Sequence, residues 1–360
     1  MRRILVISIM FLAALSCSRI EKPLVHEIGF DEPSVDIPTR TTPLITGPGQ
    51  MGTTGISVFA SKSVGVDGTM FMNNVKVYKK GDVWAYDDYK YHWSPGASHK
   101  FFGIYPYCDP SAAPLTYKVN TTSRAIEVYG KAKDDTETGY HPIKTGVEEG
   151  GCPDILFSVV SYDEPFDLMS DPGPVVFNMR HAGAVVTLNV INKSDYVITG
   201  ISGSLKGAPA VDPATVLPGL YDTAQKVVID TESSTPVVWE YLGLGNGSFV
   251  FHHDNLNLAV GSTHAQAFQE IVIPQNINAV APDTKDKLYL HFSVTFNGNS
   301  DPSSYTICLA DIPLTGQKPE YLKTWLPGKN YVYNLNITSD YITCGVSVVD
   351  WVEDDMIDLN

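Results

Sequence analysis

The sequence predicts an all-β protein, and three observations carry that reading. Residues 287–296 alternate strictly: Leu288, Leu290, Phe292, Val294 and Phe296 share one face, Tyr289, His291, Ser293 and Thr295 the other. A period of two over ten residues marks a strand with one buried face. Residues 331–338 repeat the pattern, with Tyr331, Tyr333, Leu335 and Ile337 aligned. Elsewhere, short apolar runs drawing on 19 Tyr and 14 Phe are separated by turns drawing on 29 Gly and 24 Pro, and no amphipathic helix exceeds two or three turns. Many short strands joined by such turns build β-sandwiches.

The chain opens on a positive n-region, Arg2 and Arg3, followed by an apolar run over residues 4–15. A membrane-spanning helix needs about 20 residues, so this shorter run is the h-region of a signal peptide. It closes on Ala14-Leu15-Ser16-Cys17, the pattern of a bacterial lipoprotein signal, although Ala14 stands where Leu is usual. Residues 1–16 are then removed and Cys17 carries acyl chains, each buried methylene contributing about 0.8 kcal/mol of membrane affinity. A plain secretory peptide with a chance cysteine is the alternative. No later stretch reaches membrane-span length.

Residues 17–52 form a lead-in rich in Pro, Thr and Gly, with strand-like pieces at 24–30 and 34–37. Arg40 follows in an extended stretch. An N-terminal sandwich is expected over 53–172, with strands at 55–60, 75–78, 83–86 and 99–105. The loop Lys79-Lys80-Gly81-Asp82 suits a hairpin because Gly tolerates positive φ. The Ser-Asp-Pro-Gly-Pro run at 170–174 rules out regular structure and marks the boundary. A C-terminal sandwich then spans 173–360, with strands at 176–190, 236–241, 248–251, 268–273, 287–296 and 331–338.

Net charge is −15, and loss of Arg2 and Arg3 with the leader takes it to about −17, which disfavours nucleic acid and anionic lipid. Cys108, Cys152, Cys308 and Cys344 allow two disulfides in three pairings, or buried thiols; with no CxxC pair a zinc site is not expected. The chain has no GxSxG, HExxH, phosphate loop or dinucleotide fingerprint. His252 and His253 are strand neighbours whose side chains point apart. The aromatic stretch with Tyr89, Tyr91, His92, Trp93 and His99 suits packing better than sugar stacking. Glu353, Asp354 and Asp355 lack the spacing of a calcium loop. These features predict no catalytic residue, no metal and no cofactor.

Four segments together resemble the fimbrillin family of Bacteroidales, in its Mfa-like, type V pilus branch. They are Trp84 with Tyr91-His92-Trp93-Ser94-Pro95 and residues 100–106 (KFFGIYP); residues 154–157 (DILF) with 176–182 (VFNMRHA); residues 271–275 (IVIPQ); and residues 325–333 (WLPGKNYVY), with 346–351 closing the chain. The resemblance implies two transthyretin-like β-sandwich domains in tandem. It implies export to the outer membrane as a lipoprotein, proteolysis in the lead-in and assembly into a surface fimbrium by strand exchange with other pilus subunits, self or paralogous. Arg40 is then the candidate processing site, with Arg19 and Lys22 as competitors. Val346, Val348, Val349 and Trp351 form the candidate donor strand. Host or bacterial surface ligands are further candidate partners. The alternative reading is a monomeric surface glycan-binding lipoprotein.

Overall fold

The computed structural model describes residues 26–35, 48–64, 67–87, 89–109, 115–120, 125–131, 133, 139–144, 154–207, 223–230, 236–242, 249–277, 288–299, 301–315 and 321–350. In chain order the strands are β1 Ser34–Val35, β2 Ile56–Val64, β3 Asp67–Lys80, β4 Val83–Ala85, β5 Ser98–Tyr105, β6 Leu115–Asn120 and β7 Ala125–Gly130. There follow β8 Ile143–Lys144, β9 Leu156–Tyr162, β10 Asn178–His181, β11 Ala184–Asn192, β12 Ile198–Gly207, β13 Thr223–Asp230 and β14 Val237–Tyr241. The last are β15 Phe249–His253, β16 Thr263–Val272, β17 Leu288–Phe296, β18 Ser303–Cys308, β19 Lys329–Ile337 and β20 Ile342–Asp350. One short helix, α1, spans Pro48–Thr54.

Two four-stranded sheets face each other in the C-terminal part, ordered β16-β11-β19-β20 and β15-β12-β17-β18. Their inner faces supply one core. The β17 positions Leu288, Leu290, Phe292 and Val294 meet Val186, Leu188, Tyr331, Tyr333 and Leu335 from the opposing sheet. This is the face that the alternation predicts, and the intervening β17 residues are half-exposed. A fully buried apolar side chain is worth about 1.5–3 kcal/mol, so the pattern fixes the register.

The N-terminal part is a seven-stranded sheet, β1-β10-β9-β5-β2-β3-β4, buried on both faces. Adjacent residues of β5 show it: Phe101 enters one core and Phe102 the other. One face packs on a five-stranded sheet, β14-β13-β7-β6 with β8 on β13, through Ile126, Val128, Val227, Ile229 and Trp239. β13 thus pairs with β7 and β8, reaching back across the boundary expected at 172/173, and β10 likewise pairs with β9. The run expected as one strand over 176–190 is two, broken around Gly183, where a Cβ would sit 3.0 Å from Ile271 Cγ2. Pairing is antiparallel except β1–β10 and β11–β19.

Residues 170–174 carry no strand or helix, as expected. The hairpin also holds: Lys80 pairs with Val83 around Gly81 at φ 68°. Cys108 and Cys344 are free thiols and burial raises both, Cys344 to about 12. The paired-disulfide alternative therefore fails for these two; Cys152 lies outside the described residues.

Candidate functional site: the lead-in strand and its groove

The lead-in runs between the two ends of the seven-stranded sheet, its β1 pairing with β10 and Phe30 bridging Trp84 of β4. Residues 26–35 run extended and are hydrogen-bonded along both edges. On one side Ile28 N donates to Tyr91 O (2.8 Å) and Trp93 N to His26 O (3.0 Å). On the other, Val175 N donates to Gly29 O (2.9 Å), Asp31 N to Val175 O (3.1 Å) and Ser34 N to Phe177 O (2.9 Å). The Tyr86 hydroxyl adds a bond to Ile28 O at 2.9 Å.

Residues alternate in and out over 27–31, as in any strand. Ile28 and Phe30 point inward, 0% and 7% exposed, while Glu27, Gly29, Asp31 and Glu32 face out. Phe30 stacks on Phe177 (ring centroids 6.0 Å, 15°) and meets Tyr86 and Phe101 edge-on. Gly103 of β5 makes room beneath: a Cβ there would lie 3.0 Å from the Phe177 ring. Burying Ile28 and Phe30 is worth about 1.5–3 kcal/mol each. Surface pairs add little: Lys90–Glu27 at 2.6 Å and Lys79–Glu32 at 3.0 Å are largely exposed.

Trp93 is buried against His99, Phe101, Tyr162 and Phe166, so Trp93 and His99 of the aromatic stretch pack as expected, whereas Tyr89 and His92 are exposed. Burial and nearby Lys62 lower the His99 pKa. His252 pairs with exposed Asp254 while His253 reaches Ala267 O, so the two rings point apart. Among the described residues no cluster of three or more His, Cys, Asp or Glu could hold a metal. Val346, Val348 and Val349 lie in β20, the edge strand beside β19: Val346 is buried, Val348 38% exposed and Val349 half-buried. Cys17, Arg40 and Trp351 lie outside the described residues.

The structure also joins residues that the sequence leaves apart. His181 Nδ1 is 2.9 Å from Asp154 Oδ1, both side chains 1% exposed, and β10 pairs with β9 immediately beside them. The Trp239 indole N–H donates to Ala182 O at 2.8 Å, locking the five-stranded sheet onto the same corner. An acid beside an apolar run and a His-Ala step were the sequence traces of this corner, without their pairing.

Fold and groove define an all-β structural protein that holds one extended segment as an inserted strand. Among solved structures, a fimbrial protein from Bacteroides vulgatus shares the fold at 16% identity, over 91% of this chain and 99% of that one, with a TM-score of 0.55. A putative cell adhesion protein from Bacteroides uniformis is 14% identical over 91% and 100% (TM-score 0.48). The tip fimbrial protein Mfa3 from Porphyromonas gingivalis, with C-terminal truncation, is 10% identical over 91% and 100% (TM-score 0.43). Comparison with curated protein sequences gives no match. The pattern of the fimbrillin-like family matches residues 39–351, and the chain belongs to that family. It is therefore a fimbrial structural subunit and not an enzyme.

Proposed function

We propose that this subunit is exported as a lipoprotein through Cys17 and polymerises at the cell surface by strand exchange. One observation carries the reading: residues 26–35 precede Arg40 and fill a groove that offers backbone partners on both sides. Cleavage at Arg40 frees this strand from the body. Its departure leaves unpaired donors and acceptors at 91–93 and 175–177 above an apolar floor. Such an edge recruits a strand from another subunit.

The donor is the segment with Val346, Val348, Val349 and Trp351. As an edge strand, β20 leaves by breaking its β19 ladder and its bonds with Pro313 and Thr315. The partners are other pilus subunits, self or paralogous. The unit organisation is two sandwiches, 53–172 and 173–360, with β10, β13 and β14 of the second segment completing the sheets of the first. The location is the outer membrane and the surface fimbrium.

The test is limited digestion of the full chain with an Arg-specific protease. Cutting is expected first at Arg40, leaving a folded body that oligomerises or takes up a peptide copying residues 345–352. A body that stays monomeric and ignores the peptide overturns the exchange reading; a glycan array on uncut protein then tests a monomeric glycan binder.

A further inference from the structure

Opposite Phe30, a buried donor is left over. Trp84 of β4 is 5% exposed and forms an antiparallel bridge with Phe30, so both side chains enter the same core. Its indole N–H has no hydrogen-bond partner among the described residues. Leaving a buried N–H unsatisfied costs about 1–3 kcal/mol, and native proteins rarely tolerate it without a reason.

The lead-in cannot satisfy it. At the paired position it presents a hydrocarbon ring, and Gly29 next to it has no side chain. Its carboxylates are used at the surface: Glu27 with Lys90, Glu32 with Lys79, and Asp31 accepting from Glu32 N. The groove thus fits the lead-in in shape but not in polarity.

Resting on the strand-exchange reading, we infer that Trp84 is a specificity residue of the groove. The strand that replaces residues 26–35 carries, at the position Phe30 holds, a side chain ending in a hydrogen-bond acceptor; in the proposed donor that residue is Asp350, in phase with Val346 and Val348. The lead-in is the weaker occupant by one buried hydrogen bond. Purely apolar donors are discriminated against, because they leave the same N–H unpaired.

The full chain permits a direct test, by placing Phe30→Tyr, Phe30→Gln and Phe30→Leu in wild-type and Trp84→Phe backgrounds. Two signals are read. One is the Trp84 indole ¹⁵N–¹H resonance, identified by its loss in Trp84→Phe; the other four indoles report whether that variant keeps its fold. The second is hydrogen exchange at the Ile28, Asp31 and Ser34 amides, which measures opening of the lead-in.

Phe30→Tyr or Phe30→Gln is expected to move the indole proton downfield and slow opening by about three- to tenfold relative to Phe30→Leu, the size of one net hydrogen bond. In Trp84→Phe that advantage disappears. Arg-cleaved protein should likewise prefer a 26–35 peptide carrying the better of these two substitutions over the native peptide. Cleaved protein that binds both peptides equally, with no coupling in the full chain, overturns the inference and leaves strand exchange standing. Cleaved protein that stays monomeric and binds neither these peptides nor one copying residues 345–352 overturns strand exchange itself, and with it this account of the partner. A wild-type indole signal already at the hydrogen-bonded position also overturns the inference.

Discussion

Phe292 and His291 are neighbours in β17 with opposite environments. Phe292 is 3% exposed and stacks with Tyr305 at 5.4 Å, while His291 lies on the outer face beside Thr306. Phe292→Asp puts an unpaired charge in the sandwich core and is expected to unfold the C-terminal part; truncation of a buried Phe alone costs about 3–5 kcal/mol. His291→Asp should shift the denaturant midpoint little, and equal losses for the two would refute the assignment of faces. Glu270 sits opposite Val186 on the core side of β16, and burial pushes its carboxyl up to about 7, with Oε1 accepting from Ile271 N at 3.3 Å. The folded chain therefore binds the extra proton more tightly than the unfolded chain. This contribution is full below pH 4.5 and is lost as pH rises through 7, by up to about 3 kcal/mol. Glu270→Gln should then raise the melting temperature at pH 8 and leave its gain much smaller at pH 4; an equal gain at both would exclude the carboxyl as the cause. The face of Phe292 was readable because alternation encodes it. The isolation of Glu270 and Trp84 was not, since a buried polar group has no sequence signature apart from its neighbours in space.

Strands that carry their partner's signal nearby were legible, and those that do not were missed. The β3–β4 hairpin announces itself through Gly81, and β17 and β19 through long one-sided alternation. The five-stranded sheet was hidden except for β14. Its strands β6 and β7 are six residues each with charged outer faces, and β7 pairs with β13, which matches Tyr129 to Lys226. No local turn encodes so distant a pairing. The groove was half legible: the lead-in was expected to contain strand, but its two-sided pairing depends on residues 91–93 and 175–177. This two-sided pairing makes the segment a firm occupant. The Ile28, Asp31 and Ser34 amides should exchange as slowly as neighbouring core strands in intact protein. Gly103→Ala, which pushes a methyl toward the Phe177 ring, should speed that exchange by about tenfold, as expected for an overpacking cost of at least 1–2 kcal/mol. Unchanged lead-in exchange in that variant would show that Phe177 does not couple the sheet to the groove.

For the whole molecule, the question is whether one chain both accepts and donates a strand. Cys17→Ser should first move the protein from the membrane fraction to the soluble periplasm; continued palmitate incorporation would refute lipidation at that site. In this soluble background the donor role can be isolated. Asn336 of β19 and Thr343 of β20 are directly opposed on the outer face of the C-terminal sheet. Opposed antiparallel residues lie about 4.5–5.5 Å apart at Cα, within the span of a disulfide. An oxidised Asn336→Cys/Thr343→Cys pair therefore pins β20 to its own sandwich while leaving the groove, on the seven-stranded sheet, untouched. After Arg-specific cleavage the stapled protein should still take up a free strand in its groove, because acceptance requires only residues 91–93 and 175–177. It should not donate, so mixtures stop at short oligomers with a stapled subunit at one end, and reduction restores growth. Growth of stapled protein into long oligomers at the wild-type rate would place the donor elsewhere than β20. Loss of uptake as well would mean that the two sandwiches are coupled, so that freeing β20 is itself required to open the groove.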